Sequence, residues 1–159
     1  LPGLSYVGLQ LYFLTICCDR RRCYFEDDHA AAWVLSQIIQ IFPSQQFAVV
    51  AYCVMPDHVH MLLEGCTEDA DLRAAMSLWK QRTAFEWKRR CGRRLWQSGY
   101  YDYVLRDEDS VPAIVKYIIG NPVRACMVVD AGQYPYAGSS RYRFEELADG
   151  VMEWTPRRD

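Results

Sequence analysis

An α+β domain is the fold class that this 159-residue sequence predicts, and three observations carry the prediction. Apolar runs of strand length occur at 8–18, 47–54 and 58–64. Apolar residues recur at helical spacing at 29–42, from about 71 to 90, and from about 110 to 121. Between the second and third apolar runs, Pro56-Asp57 supplies turn chemistry that folds them into a hairpin. Several strands, at least three helices and a centrally placed hairpin make a sheet with helices layered on it.

In chain order, Gly8 to Cys18 reads as a first strand closed by the polar turn Asp19 to Arg22. Asp28 is placed to cap a helix from about His29 to Phe42, with Ala32, Leu35, Ile38, Ile39 and Phe42 as its inner face. Pro43-Ser44 stops it. Phe47 to Val54 is apolar throughout, the mark of a buried strand, and His58 to Glu64 returns beside it. Asp69 or Asp71 opens a long helix to about Arg90, with Leu72, Ala75, Met76, Trp79 and Thr83 facing inward and Cys91-Gly92 ending it. Asp109 or Ser110 caps a last helix that buries Val111, Ile114, Val115 and Ile118 and exits near Asn121, because Pro122 disfavours helix before it.

Composition excludes several classes. Hydrophobic residues make up 51% and aromatics 14%, which describes a globular core rather than a disordered chain. No apolar run reaches membrane-span length, and no signal peptide is evident. Seven cysteines without a C-x-x-C pair fit a reducing cytosol better than a disulfide framework. Net charge is −2, yet Lys80, Arg82, Lys88, Arg89, Arg90, Arg93 and Arg94 crowd one segment, with Arg20, Arg21 and Arg22 as a second cluster. Phosphate binding follows such local stripes, not the total. Directly behind the basic segment come Trp96, Tyr100, Tyr101 and Tyr103, then Arg106. Rings beside cations suit unpaired bases, and they equally suit ordinary core packing.

The chemistry centres on His58-Val59-His60. Alternation along a strand sends both imidazoles to one face and Val59, Met61 and Leu63 to the other. Two converging imidazoles bind a divalent metal, although a lone His-x-His is more often a hydrogen-bonded pair. Tyr117 and Asn121, four apart, are neighbours on one helix edge. A structural zinc site built from both histidines with Cys53 or Cys66 is an alternative. Strand parity places Cys53 on the opposite face, and Cys66 lies beyond Gly65.

Taken in order, Phe13-Leu14-Thr15 with Arg20-Arg21-Arg22, Val54-Met55-Pro56-Asp57-His58-Val59-His60, Trp96-Gln97 with Tyr101-Asp102 and Leu105-Arg106, Tyr117-Ile118 with Asn121-Pro122-Val123-Arg124-Ala125, and Tyr134 to Ser140 resemble the REP-associated tyrosine transposases of the HUH nuclease superfamily. The similarity runs from roughly Leu11 to Arg141. It implies a mainly antiparallel sheet with helices packed on its faces, the ferredoxin-like fold of HUH nucleases and IS200-like transposases. One domain over 1–159 is expected, with a core of about 8–143 and a tail at 144–159.

The resemblance further implies that His58, His60 and Asn121 ligate Mg²⁺ or Mn²⁺ and that Tyr117 is the nucleophile, forming a 5′-phosphotyrosine. Hairpin DNA of the repetitive palindromic type, with a single-stranded guide, is the implied substrate, and a prokaryotic cytoplasm the implied location. Lys80, Arg82, Lys88, Arg89, Arg93, Arg94, Trp96, Tyr101 and Arg106 are the candidate DNA contacts, with Arg20 and Arg21 as further ones. Monomer and homodimer are both compatible. Cys126 and Tyr103 depart from the family pattern without touching the implied ligands or nucleophile. A hairpin-binding module that does not cut is the principal alternative.

Overall fold

A computed structural model describes residues 6–106, 109–143 and 145–146; Phe144 and 147–159, most of the expected tail, lie outside the described residues. The strands are β1 (Leu11–Cys17), β2 (Phe47–Met55), β3 (His58–Gly65), β4 (Tyr101–Val104) and β5 (Ala137–Gly138). The helices are α1 (Asp28–Ser44), α2 (Leu72–Cys91), α3 (Val111–Ile119) and α4 (Asn121–Arg124). All five strands join one sheet in the order β4-β1-β3-β2-β5, and every pairing is antiparallel. The expected α+β architecture, with helices on both sheet faces, is the one observed.

β3 lies at the centre, paired with β1 on one side and β2 on the other, and every residue of it except His58 is buried. On one face Tyr12, Leu14, Ile16, Val59, Met61 and Leu63 pack against α1 and α2. On the other, Leu11, Cys53, Met55 and Leu62 pack against Val111, Val115 and Ile118 of α3. A bulge at Val50 inserts one residue between the pairs Val49↔Leu63 and Ala51↔Leu62. Odd-numbered residues of β2 therefore face α1 and α2 before the bulge and α3 after it, so a wholly apolar strand feeds both cores.

Helix boundaries followed the capping chemistry, with some displacement. The α1 N-cap is Asp27, whose carboxylate accepts from the Ala30 amide at 2.8 Å, one residue before the expected Asp28. The helix runs on through Pro43 to Ser44, since proline in a last turn removes little. Its buried row is Ala31, Val34, Ile38, Ile41 and Phe42, whereas Ala32 and Ile39 are exposed. With aliphatic residues on more than one side of the helix, the sheet decided which row is covered. α2 matched the expectation, from its Asp71 cap to Gly92, whose φ of 68° is the left-handed conformation that ends helices at glycine. α3 stops at Ile119, earlier than expected, and Gly120 separates it from α4.

The aromatic segment divides sharply. Tyr101 to Val104 form the edge strand β4, but Trp96 is only 3% exposed and packs between Phe25 and Trp79. Its indole N–H donates to Thr83 Oγ1 at 2.8 Å, and that hydroxyl donates to the Trp79 carbonyl at 2.7 Å. A ring enclosed in this way has no free face for a base, so Trp96 belongs to the core rather than to a DNA contact. Thr83→Val keeps the shape but strands the buried indole N–H, and is expected to cost about 1–3 kcal/mol. Urea denaturation checks this, with Thr83→Ser close to wild type; equal midpoints for Val and wild type would remove the hydroxyl from the account.

Candidate functional site

The two-residue turn sets the geometry of the histidines. Met55 pairs with His58 and Cys53 with His60. The turn is anchored from outside: the Cys18 amide donates to the Asp57 carbonyl at 2.8 Å and the Phe25 amide to the Pro56 carbonyl at 2.9 Å. Both histidines face the α3 side, as alternation requires, with their Nε2 atoms 3.1 Å apart.

Each ring is held through its other nitrogen. His58 Nδ1 lies 2.6 Å from an Asp57 carboxylate oxygen, and Asp57 pairs with Arg21 at 2.8 Å. His60 Nδ1 lies 2.9 Å from Thr15 Oγ1. In the metal-free protein one assignment satisfies every group: the Thr15 hydroxyl donates to His60, His60 Nε2–H to His58, and His58 Nδ1–H to Asp57. A hydroxyl both donates and accepts, so Thr15 can instead accept from His60 Nδ1–H, leaving both Nε2 lone pairs convergent. Their 3.1 Å separation is close to the roughly 3.0 Å edge of an octahedron with bonds of about 2.1 Å. The donor set thus fits a divalent cation, and Asp57 and Thr15 occupy the supporting positions that metal-bound imidazoles use.

Burial chiefly, then the neighbouring His58, Arg124 and Arg21, pushes His60 down to about 3, against a weaker upward pull from the Leu14 backbone. The ring therefore stays neutral, the state a ligand needs.

α3 delivers Tyr117 to the same place. Its ring centroid lies 5.9 Å from that of His60 and 6.0 Å from that of Phe13, while Phe13 stacks on His60 at 5.6 Å. Tyr117 is 48% exposed, although its neighbours on the helix, Val115, Ile118 and Ile119, are buried. Asn121 remains beside it despite the helix break at Gly120: its Nδ2 donates to the Tyr117 carbonyl at 3.3 Å, which leaves the amide oxygen out of that bond. Phe13, Thr15, Asp57 and Arg124 complete the surroundings. The sequence alone gives none of them a role in the site. Phe13 and Thr15 were findable in principle, because residues two apart on the strand beside the histidines share their face.

The basic candidates separate into two groups. Arg20 and Arg21 follow β1, where Cys17 pairs with His58, and the Asp19 amide donates to the Leu95 carbonyl at 2.7 Å. That bond brings the Arg93-Arg94 loop to the same end of the sheet; Arg94 also approaches Asp19 at 3.8 Å. Two clusters far apart in sequence thus meet near His58. Arg20 and Arg21 take the left-handed conformation, with φ of 54° and 56°, which for a non-glycine pair is strained and turns Arg21 back onto Asp57. Tyr101, 59% exposed, lies in one cross-strand row with Thr15 and His60. Arg106 is exposed beyond the end of β4, and its amide donates to Asp109 at 2.7 Å.

Arg82, Lys88 and Arg89 are on α2, across the sheet from the histidines. Arg89 and Arg90 pair with Glu86 there. Lys80 is half-buried and donates to the carbonyls of Gln97 at 3.3 Å and Gly99 at 2.6 Å; burial lowers its ammonium. It latches a loop instead of offering a free cation.

Cys53 requires a correction. Counting across a two-residue turn pairs odd with even positions, so Cys53 lies directly opposite His60 on the same face. Burial in the α3 core pushes its thiol up to about 12, with Arg124 pulling weakly against it, so it is no ready thiolate ligand. Cys66 donates its thiol to the Glu64 carbonyl at 3.7 Å. Among the described residues no three His, Cys, Asp or Glu side chains gather as a metal group.

Comparisons with known proteins identify the family and the fold. Residues 6–121 match the family model described as "Transposase IS200 like". A proposed REP-associated tyrosine transposase of Haemophilus influenzae is 25% identical over 146 residues, spanning 82% of this chain and 80% of the relative. A solved REP-associated tyrosine transposase bound to a REP hairpin superimposes with a TM-score of 0.73 at 21% identity, covering 98% of this chain and 90% of that one. A proposed transposase from Deinococcus radiodurans gives a TM-score of 0.54 at 22% identity, over 76% and 96% of the two chains. No helix among the described residues is long and apolar enough to cross a membrane.

The neutral His60 makes a pH prediction for the protein in EDTA. Its folded value, about 3, lies below the unfolded value of about 6.5, so below that pH the unfolded state binds the extra proton. Stability contributed by His60 is therefore complete above about 6.5 and is lost as pH falls toward 3, at up to about 1.4 kcal/mol per unit. Relative to His60→Gln, the wild type should lose urea resistance between pH 6 and 4. Parallel stability curves would show that His60 is not held neutral.

Proposed function

The chain belongs to the IS200-like transposase family, and from that premise we propose that it is a metal-dependent single-strand DNA endonuclease and strand transferase acting on hairpin DNA. One observation carries the reading: a half-exposed tyrosine stands beside a convergent imidazole pair within one chain, its ring centroid 5.9 Å from that of His60. In this reading the site is complete in cis, without residues from a second copy.

Tyr117 is the proposed nucleophile. Its phenol oxygen attacks phosphorus, the bond from phosphorus to the 3′ oxygen breaks, and the 5′ phosphate stays on the tyrosine. The phenol gives up its proton and the departing 3′ oxygen takes one up, leaving a free 3′ hydroxyl. Because the phosphotyrosine retains the bond energy, the 3′ hydroxyl of another strand can reverse the step and complete strand transfer. Mg²⁺ or Mn²⁺ held by His58 Nε2, His60 Nε2 and the Asn121 amide oxygen would supply Lewis-acid polarisation of a phosphate oxygen. Asp57 and Thr15 orient the two imidazoles, and burial keeps His60 unprotonated. A helix-borne tyrosine against a sheet needs a splayed backbone, which a single strand presents more readily than a stacked duplex.

The solved relative's REP hairpin supports hairpin DNA as the substrate class. Arg20, Arg93 and Arg94, at the His58 end of the sheet, are the contacts placed to hold DNA beside the site, with Tyr101 as the exposed ring of the same face. Arg82, Lys88 and Arg89 retain a role only if a duplex stem extends past the sheet to the α2 side.

A labelled single-stranded DNA with a palindromic hairpin and flanking guide sequences tests the proposal. With Mn²⁺ or Mg²⁺ a covalent protein–DNA adduct is expected on a denaturing gel, reduced more than about 100-fold in Tyr117→Phe and His58→Ala. EDTA should abolish the adduct and spare hairpin binding. An adduct that survives Tyr117→Phe would move the nucleophile elsewhere, with Tyr101 the next candidate. Tight binding without any adduct would favour the non-cutting module.

A further inference from the structure

We infer that Arg124 is a positioning residue for Tyr117, holding the phenol ring toward the histidine pair and fixing a cation on the phosphate's approach to it. The inference rests on Tyr117 being the reacting group.

Arg124 grips Tyr117 at two points. Its guanidinium carbon stands 4.2 Å from the ring centroid, well inside the range of a cation–π contact. One terminal nitrogen also donates to the Tyr117 carbonyl at 2.5 Å, the same oxygen that accepts from Asn121. Ring and backbone are thus held by a single planar group, a geometry that the compact ammonium of lysine does not reproduce.

Gly120 is the independent observation. Its backbone is helical, with φ −80° and ψ −4°, so no conformational need calls for glycine. Space does. A Cβ there would come within 3.1 Å of an Arg124 terminal nitrogen and 2.9 Å of the Lys116 carbonyl. The missing side chain leaves the path along which Arg124 folds back over the end of α3 to reach the tyrosine.

A merely structural reading exists, because arginine near a helix C-terminus commonly hydrogen-bonds the last carbonyls. The experiment separates the two. Single-turnover adduct formation on hairpin DNA is measured for wild type, Arg124→Gln, Arg124→Lys, Arg124→Ala and Gly120→Ala, together with hairpin affinity and thermal midpoint. Positioning predicts that Arg124→Gln slows adduct formation at least tenfold, far more than it weakens hairpin affinity, with the midpoint essentially unchanged. Arg124→Lys should recover part of the rate, free guanidinium should partly rescue Arg124→Ala, and Gly120→Ala should be slowed several-fold. In parallel, the Arg124 side-chain NMR signals should carry a ring-current shift that disappears in Tyr117→Leu, a readout that needs neither DNA nor metal.

Equal rates for wild type and Arg124→Gln would overturn the inference. So would loss of rate and midpoint together without guanidinium rescue, which would make Arg124 a helix cap. Absence of the ring-current shift would overturn the grip itself. A wild type that forms no adduct while showing the shift would instead refute the tyrosine reading and leave the grip established.

Discussion

The register of β3 against its two neighbours is the constraint on which everything else depends. Side chains alternate with a period of two, so a slip of one residue would turn both histidines into the α1/α2 core and Val59 and Met61 toward α3. Burial against α1 and α2 opposes the slip, because that apolar core would then enclose two imidazoles without partners. The bulge at Val50 serves the same end from β2: it lets an uninterrupted apolar strand supply Phe47 and Val49 to one core and Cys53 and Met55 to the other. With both layers satisfied, the turn at Pro56-Asp57 is the one place where the strand can release a polar face, and the histidines begin there.

That placement also governs the electrostatics. A line of contacts runs from Thr15 through His60 and His58 to Asp57 and Arg21. Its inner end is buried and neutral, while its outer end is an ion pair half in solvent. Desolvation disfavours charge at His60, and the Asp57 carboxylate favours an N–H on His58 Nδ1, which leaves the His58 Nε2 lone pair facing His60. Sheet register and side-chain chemistry therefore converge on the same two rings.

Much of this was legible because local signals and tertiary demands coincided. The hairpin, the Asp71 cap, the Gly92 terminus and the inner stripe of α2 each followed from residue types whose preference the fold had no reason to override. The failures came from quantities that a single segment does not hold. Which row of α1 faces inward depended on the sheet it met, since Ile39 is as apolar as Ile38. The face of Cys53 required counting across the turn instead of along one strand. Trp96 and Lys80 looked like partners for DNA because both sit among cations and rings; Thr83 and the carbonyls of Gln97 and Gly99, remote from them in sequence, had already engaged them.

The basic residues make the same point at larger scale. Density of arginine along α2 suggested one DNA-binding stripe, yet a helix laid across a sheet presents its outer face away from whatever lies beneath. Fold topology instead joins the end of β1 to the loop after α2, through the bond between Asp19 and Leu95 and the pairing of Cys18 with Trp96. Arg20 and Arg93, which no sequence window contains together, thereby come to one end of the sheet beside His58. The gathering of arginines beside the site is a product of chain crossing, not of composition, and it occurs in a chain of net charge −2.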